Sequence, residues 1–135
     1  MAYDIEEIEG IGKAYADKLR QIGIDTTEQL LAQGAIPKGR EEIAEATGIS
    51  PKLVLKWVNH ADLFRIKGVA GQFAELLEAS GVDTVKELRH RVAANLHARL
   101  VEVNSQKGLC NRVPSESEVE KMVAQAKELP PMVTY

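Results

Sequence analysis

The chain reads Ile8-Glu9-Gly10-Ile11-Gly12-Lys13 near its beginning and Ile66-Lys67-Gly68-Val69-Ala70-Gly71 near its middle. These stretches begin two segments that align without gaps at a constant offset of 58 residues, as far as Leu30 and Leu88. Eight of the 23 aligned positions are identical, and the shared glycines fall where a helix must turn or end. Self-similarity of this kind predicts an internal duplication of one structural unit.

Helix-capping residues recur at matching places in both segments. Thr26 and Thr84 each precede a Gln or Glu by three residues, which is the spacing of a capping box. Later helices are expected to begin at Ser50 and Ser115, each followed by apolar residues at helical spacing. These later helices align at an offset of 65 rather than 58, so seven extra residues are expected in an inserted loop near residues 104–111.

The predicted fold is all-α, with two pseudo-symmetric halves, residues 1–62 and 63–135. Halves of about 60 residues are marginal alone, so they are expected to pack together. The helix that starts at Thr84 has two interpretations, because Val92-Ala93-Ala94-Asn95-Leu96 also reads as a helix end followed by a new N-cap near Asn95. The expected helices lie near residues 4–9, 13–22, 26–33, 39–47, 51–61, 63–67, 71–80, 84–103 and 116–129.

The composition limits which classes of protein this chain can belong to. Hydrophobic residues make up 44% of the chain but aromatic residues only 4%, which predicts a core of aliphatic side chains between closely packed helices. No apolar run approaches the roughly 20 residues that cross a bilayer, and the first residues lack the pattern of a secretion signal, so a cytoplasmic protein is expected. Cys110 is the single cysteine, which excludes an internal disulfide and a thiolate metal cluster.

The charge balance bears on possible partners. The formal net charge is −3, which argues against a large basic surface for nucleic acid. Residues 1–62 carry 7 Lys or Arg against 11 Asp or Glu, whereas residues 63–135 carry 10 against 9. Binding of a polyanion would therefore depend on local geometry.

The stretch from Ile8 to Leu19 resembles the helix-hairpin-helix signature, in which two glycines flank an apolar residue and a helical Ala and a Leu follow. Over almost the whole chain, the arrangement resembles a bacterial and archaeal family of tandem helix-hairpin-helix domains whose function is unassigned. The resemblance implies a fold of duplicated helix-hairpin-helix units. It also implies that the hairpins contact DNA backbone phosphates without reading bases.

The hairpin has a physical logic of its own. Two glycines one residue apart leave amide N–H groups uncovered beside the positive end of the following helix, where a phosphate oxygen is accepted readily. Lys13 lies at that helix start, and Lys67 of the second copy stands where the first copy has Glu9. The candidate nucleic-acid-binding residues are Gly10, Ile11, Gly12, Lys13, Lys67, Gly68, Val69 and Ala70.

Several features weigh against this interpretation. The second copy has Ala70 and Gly71 where the first has Gly12 and Lys13, and Glu6, Glu7 and Glu9 would repel a phosphate within a Debye length of about 8–10 Å. The alternative is a protein-protein interaction scaffold in which the hairpins only set helix angles, with the oligomeric state open. Residues 40–54 also resemble a helix-turn-helix, although the second helix offers few side chains suited to base readout.

The sequence predicts no enzyme, no cofactor and no metal. Cys110 lies near Lys107 and Arg112, which favour a thiolate, but no positioned base accompanies it. His90 and His97 are seven residues apart, a spacing compatible with one helical face, but no third ligand stands at metal spacing, so zinc is not expected. The basic stretch around these histidines is interpreted as a solvated surface.

Overall fold

The computed structural model describes residues 3–135, and this part of the chain is all-helical, with one isolated β-bridge between Asp4 and Thr26. Among the described helices, none combines the length and the apolar character needed to traverse a bilayer. A 3₁₀ turn spans Ile5–Glu7, and the α-helices are α1 (Lys13–Arg20), α2 (Thr27–Gly34), α3 (Pro37–Thr47), α4 (Pro51–Leu63), α5 (Gly71–Ala79), α6 (Val85–Leu88), α7 (Ala93–Lys107) and α8 (Glu116–Glu128).

The chain divides into two compact units. Unit 1 is Met1–Asp62 together with Met132–Tyr135, and unit 2 is Leu63–Pro131. The last four residues therefore belong with unit 1, whereas the sequence interpretation assigned everything after residue 62 to the second half. Backbone pairing explains the difference, because the N–H of Thr134 donates to the carbonyl of Ala35 at 2.8 Å.

In unit 1, the first bend is a run of three-residue turns anchored by buried apolar side chains. Ile5, Ile8 and Ile11 are all buried. The N–H of Ile8 donates to the Ile5 carbonyl at 3.3 Å, and the N–H of Ile11 donates to the Ile8 carbonyl at 3.1 Å. Gly10 makes this tight sequence possible with a φ of +93°, which side-chain-bearing residues rarely adopt.

In unit 2, the same bend recurs 58 residues later. Leu63, Ile66 and Val69 are buried, and their turn hydrogen bonds measure 3.0 Å from Ile66 N to the Leu63 carbonyl and 3.1 Å from Val69 N to the Ile66 carbonyl. Gly68 has a φ of +92°. The prediction of a helix over residues 63–67 is wrong, because these turns close after three residues instead of the four of an α-helix.

The capping boxes predicted at Thr26 and Thr84 are not equally complete in the structure. Thr26 Oγ1 accepts from Gln29 N at 3.2 Å, and Gln29 Oε1 accepts from Thr26 N at 3.1 Å, so the first capping box is confirmed. Thr84 Oγ1 accepts from Glu87 N at 3.2 Å. The carboxylate of Glu87 instead forms an ion pair with Arg91 at 3.4 Å, so only half of the second box is present.

The long helix expected after Thr84 is broken, but earlier than Asn95. Helix α6 ends at Leu88, and α7 begins at Ala93 with Val92 as its N-cap residue in extended conformation. Asn95 lies inside the first turn of α7. Turn hydrogen bonds at His90 and Arg91 fill the gap between the helices.

The loop predicted near residues 104–111 begins later than expected. Residues 104–107 complete α7, which ends where Gly108 takes a φ of +60° and donates its N–H to the Asn104 carbonyl at 2.8 Å. The loop is then held to the helix by Asn104, whose side-chain oxygen accepts from Cys110 N at 2.8 Å. The irregular segment spans residues 108–115.

Candidate nucleic-acid interface

The first hairpin presents an uncapped helix start. Helix α1 has Gly12 as its N-cap residue, so no side chain caps it, and its first turn holds no acidic residue. Gly12 and Lys13 are exposed, and a Cβ added at Gly12 would meet nothing within 4 Å. Ile11 is buried and its N–H is bound to the Ile8 carbonyl, so it anchors the bend. The open donors at this place are the amides of the first turn of α1.

The acidic residues expected around this hairpin have different environments. Arg20 Nη2 lies 3.2 Å from Glu6 Oε2 and 3.0 Å from Asp4 Oδ1. A hydrogen bond from the backbone N–H of Glu6, together with Arg20, lowers the pKa of Asp4 below its ordinary value. The charge of Glu6 is thus compensated by Arg20, while Glu7 stays exposed and Glu9 is half-buried. The first hairpin therefore combines open amides with a mixed local charge.

The second hairpin is fixed against α8. Helix α5 has Ala70 as its N-cap residue and no side-chain cap. The backbone N–H of Lys67 donates to Gln125 Oε1 at 3.0 Å, and a Cβ added at Gly68 would lie 3.7 Å from Met122 Cε. Lys67 and Gly68 are exposed, whereas Val69 is fully buried. Val69 therefore serves as an anchor, in the same way as Ile11.

A cleft of about 570 Å³ opens beside the second hairpin. Lys67 and Gly68 of the hairpin, Phe73 of α5, and Lys121 and Met122 of α8 are among the residues that line it. The two hairpin residues are among the binding residues predicted from the sequence, whereas Lys121 is not. Only the packing of α8 against the bend brings this lysine to the hairpin, and no motif in the sequence signals that contact.

Arg112 and Glu118 also line the cleft and form a two-point ion pair. Their two N–O distances are 2.9 and 3.0 Å, and Glu118 also completes a capping box with Ser115 at the start of α8. The Arg112 hydrogen bond, aided by the Ser115 backbone, lowers the pKa of Glu118 to about 2. Among residues 3–135, Lys67 and Lys121 form no such ion pair, which leaves the cleft positive.

This ion pair predicts how stability responds to acid. Because the pKa of Glu118 in the folded chain lies below its ordinary 4.5, the carboxylate stabilises the fold above pH 4.5, and this contribution is lost as the pH falls toward about 2. We expect Glu118→Gln, which preserves the cap, to lower Tm at neutral pH and to flatten its decline in acid. Thermal unfolding of the wild type and of Glu118→Gln, from neutral pH down to about 2, tests this prediction. Parallel curves of Tm against pH would contradict it.

Packing and hydrogen bonds within the fold surround Arg89, Trp57 and Cys110. Arg89, in the basic stretch, donates to carbonyls at the end of α8, including that of Leu129 at 2.8 Å. Trp57 is 2% exposed and belongs to the buried core. Cys110 is half-buried in the 108–115 loop. Within the described residues, no group of three or more His, Cys, Asp or Glu side chains is arranged to hold a metal ion.

Comparison with known families gives one assignment. Residues 9–129 match the family described as "Domain of unknown function (DUF4332)". No curated protein and no solved structure shows a significant match to the chain. Because the matched residues make up most of the sequence, the chain belongs to the DUF4332 family of domains of unknown function.

Proposed function

We propose that this protein is a non-enzymatic tandem helix-hairpin-helix module that contacts the backbone phosphates of DNA or RNA without reading the bases. The observation that carries the proposal is the open start of α1, where exposed Gly12 leaves first-turn amides without a side-chain cap. Such amides and the positive end of the helix dipole together favour a phosphate oxygen. The equivalent bend before α5 supplies a second place of the same kind.

The surrounding charges indicate weak, salt-sensitive binding. Lys13 is exposed beside the open amides, and no carboxylate in residues 3–135 forms an ion pair with it. A lysine is mildly unfavourable at a helix start, so an anionic ligand gives it a stabilising role. The net charge of −3 and the nearby Glu7 and Glu9 oppose a long-range attraction. Affinity would therefore depend on a few short contacts and fall as salt rises.

Fluorescence anisotropy with a labelled duplex at low and moderate salt tests the proposal. We expect Lys13→Glu to weaken binding by about three- to tenfold and to reduce the salt dependence, since it removes one phosphate contact. Lys52→Glu is the matched control, because Lys52 is also exposed and also lies in the first turn of a helix, α4, away from the hairpin in sequence. Neither variant is expected to lower thermal stability, because a carboxylate is favoured over a lysine in the first turn of a helix.

Each result of this experiment has a distinct meaning. Absence of duplex binding even at low salt rules the proposal out. Weakening by Lys52→Glu but not by Lys13→Glu would favour the helix-turn-helix interpretation of residues 40–54. A co-purifying protein, with no effect of Lys13→Glu, would favour the scaffold. That alternative has its own support, since Ile36 is 52% exposed beside a cleft of about 480 Å³ that Ile22 also lines.

A further inference from the structure

The space behind the first bend is filled by an indole. A Cβ added at Gly10 would lie 3.4 Å from Trp57 Nε1, so the ring of Trp57 lies directly against the hairpin backbone. The ring of Tyr15 packs edge-on against it, with 5.0 Å between centroids and 63° between planes. Aromatic side chains on α1 and α4 thus close the gap between the bend and the following helices.

The equivalent space in unit 2 holds a smaller side chain. Phe73 aligns with Tyr15 at the offset of 58, and Met122 aligns with Trp57 at the offset of 65. Met122 Cε lies 3.7 Å from the Cβ position of Gly68, so the methionine occupies the same place as the indole. A methionine side chain is slimmer than a tryptophan. A cleft of about 570 Å³ adjoins this place, with Gly68, Phe73 and Met122 in its lining.

The lining of this cleft combines an apolar wall with two lysines that form no ion pair within the described part of the chain. Phe73, Pro114 and Met122 supply apolar surface, and Lys67 and Lys121 supply charge. A cleft of this size, with an aromatic ring and lysines in its lining, suits an aromatic base that carries a phosphate. A paired base inside a duplex is stacked on both faces and cannot reach such a wall, whereas an unpaired base can.

We propose that the cleft of unit 2 holds one unpaired nucleotide of a single strand, with its base against Phe73 and its phosphates beside Lys67 and Lys121. The inference rests on the proposed contact with nucleic-acid backbones and adds a preference for single strands. It assigns a binding role to α8 that the hairpin signature does not contain. Unit 1, with Trp57 in the corresponding place, is expected to contact phosphates only.

Anisotropy titrations with a labelled oligodeoxythymidine and with a labelled duplex of the same length test the inference. We expect the single strand to bind about tenfold more tightly than the duplex, as one base-stacking contact allows. Met122→Trp should fill the cleft as Trp57 does in unit 1, and should remove this preference without changing affinity for the duplex. Lys121→Glu should weaken single-strand binding, whereas Lys127→Glu, an exposed change on the same helix, should not.

The two proposals fail in different ways. If neither nucleic acid binds at low salt, both are wrong. If the duplex binds but folded Met122→Trp retains the wild-type affinity for the single strand, only the cleft inference is overturned. If Met122→Trp does not fold, as judged by circular dichroism, the comparison of Lys121→Glu with Lys127→Glu tests the cleft inference instead. Equal single-strand affinity of Lys121→Glu and Lys127→Glu would then overturn it.

Discussion

Gly39→Ala is expected to lower the free energy of unfolding by about 3 kcal/mol or more, despite its position inside helix α3. On helix propensity alone, Ala in place of Gly would be stabilising by up to about 1 kcal/mol. The structure reverses the sign, because a Cβ at Gly39 would lie within van der Waals overlap of the Gln33 backbone carbonyl oxygen in α2. A backbone atom cannot rotate away, so the connection between α2 and α3 must shift.

A neighbouring glycine supplies the matched control. A Cβ at Gly34 would lie 2.5 Å from Val58 Cγ2, which is a side-chain atom. Gly34→Ala is therefore also destabilising, but Val58→Ala removes the clashing methyl groups and should rescue part of the loss in the double variant. No side-chain deletion can rescue Gly39→Ala in this way.

Urea unfolding of the four variants measures these differences. The expected order of midpoints places Gly39→Ala lowest among the glycine variants, with a cost in Gly34→Ala/Val58→Ala that is smaller than the sum of the single costs. A Gly39→Ala protein as stable as the wild type would show that α3 can move away from α2 without loss. The close approach of these helices would then have no energetic importance.

The parts of the fold that follow local rules were predictable from the sequence. Gly10 and Gly68 adopt the positive φ that a Gly-X-Gly or similar bend requires, and Thr26 and Ser115 form complete capping boxes. Each of these features depends on residues within four positions of one another. The break between α6 and α7 was harder to predict, because the end of α6 depends on turn hydrogen bonds and not on a strongly helix-breaking residue. The preceding residues show only helical spacing.

The parts that depend on packing between distant segments were not predictable. Lys121 reaches the second hairpin because α8 packs against it, a contact in which the N–H of Lys67 donates to Gln125 Oε1 and Met122 lies beside Gly68. Arg89 shows the same limitation, since its charge suggests a solvated surface while its side chain binds the end of α8. The sequence pattern around a charged residue is the same whether its side chain is solvated by water or binds a distant carbonyl group.

The two hairpins also illustrate why motif strength and site quality differ. The first hairpin has the complete Gly10 and Gly12 pattern, yet an indole lies behind it and carboxylates lie near it. The second departs from the pattern at Ala70, yet it adjoins the positive cleft with Lys121. The motif specifies the bend of the backbone, whereas the ligand chemistry depends on the residues that surround the bend.

Arg40→Ala is expected to cost about 2–4 kcal/mol, the second large loss that the structure predicts. Arg40 is only 7% exposed, and its guanidinium donates to the carbonyls of Gly34 at 2.8 Å, Ala35 at 3.1 Å and Thr134 at 2.6 Å. Burial lowers the pKa of Arg40, although the group stays charged because an arginine does not lose its proton in proteins. Its loss would leave these carbonyls in a poorly hydrated place.

Urea unfolding and amide hydrogen exchange together test the role of Arg40. Arg40→Lys keeps the charge but not the planar fork of donors, so an intermediate stability is expected. Because Thr134 N donates to the Ala35 carbonyl beside the guanidinium, its amide should exchange faster in Arg40→Ala than in the wild type. Unchanged protection of Thr134 in a destabilised Arg40→Ala protein would show that the arginine supports only the end of α2. The attachment of residues 132–135 to unit 1 would then depend on the buried Val133 side chain and the backbone bond alone.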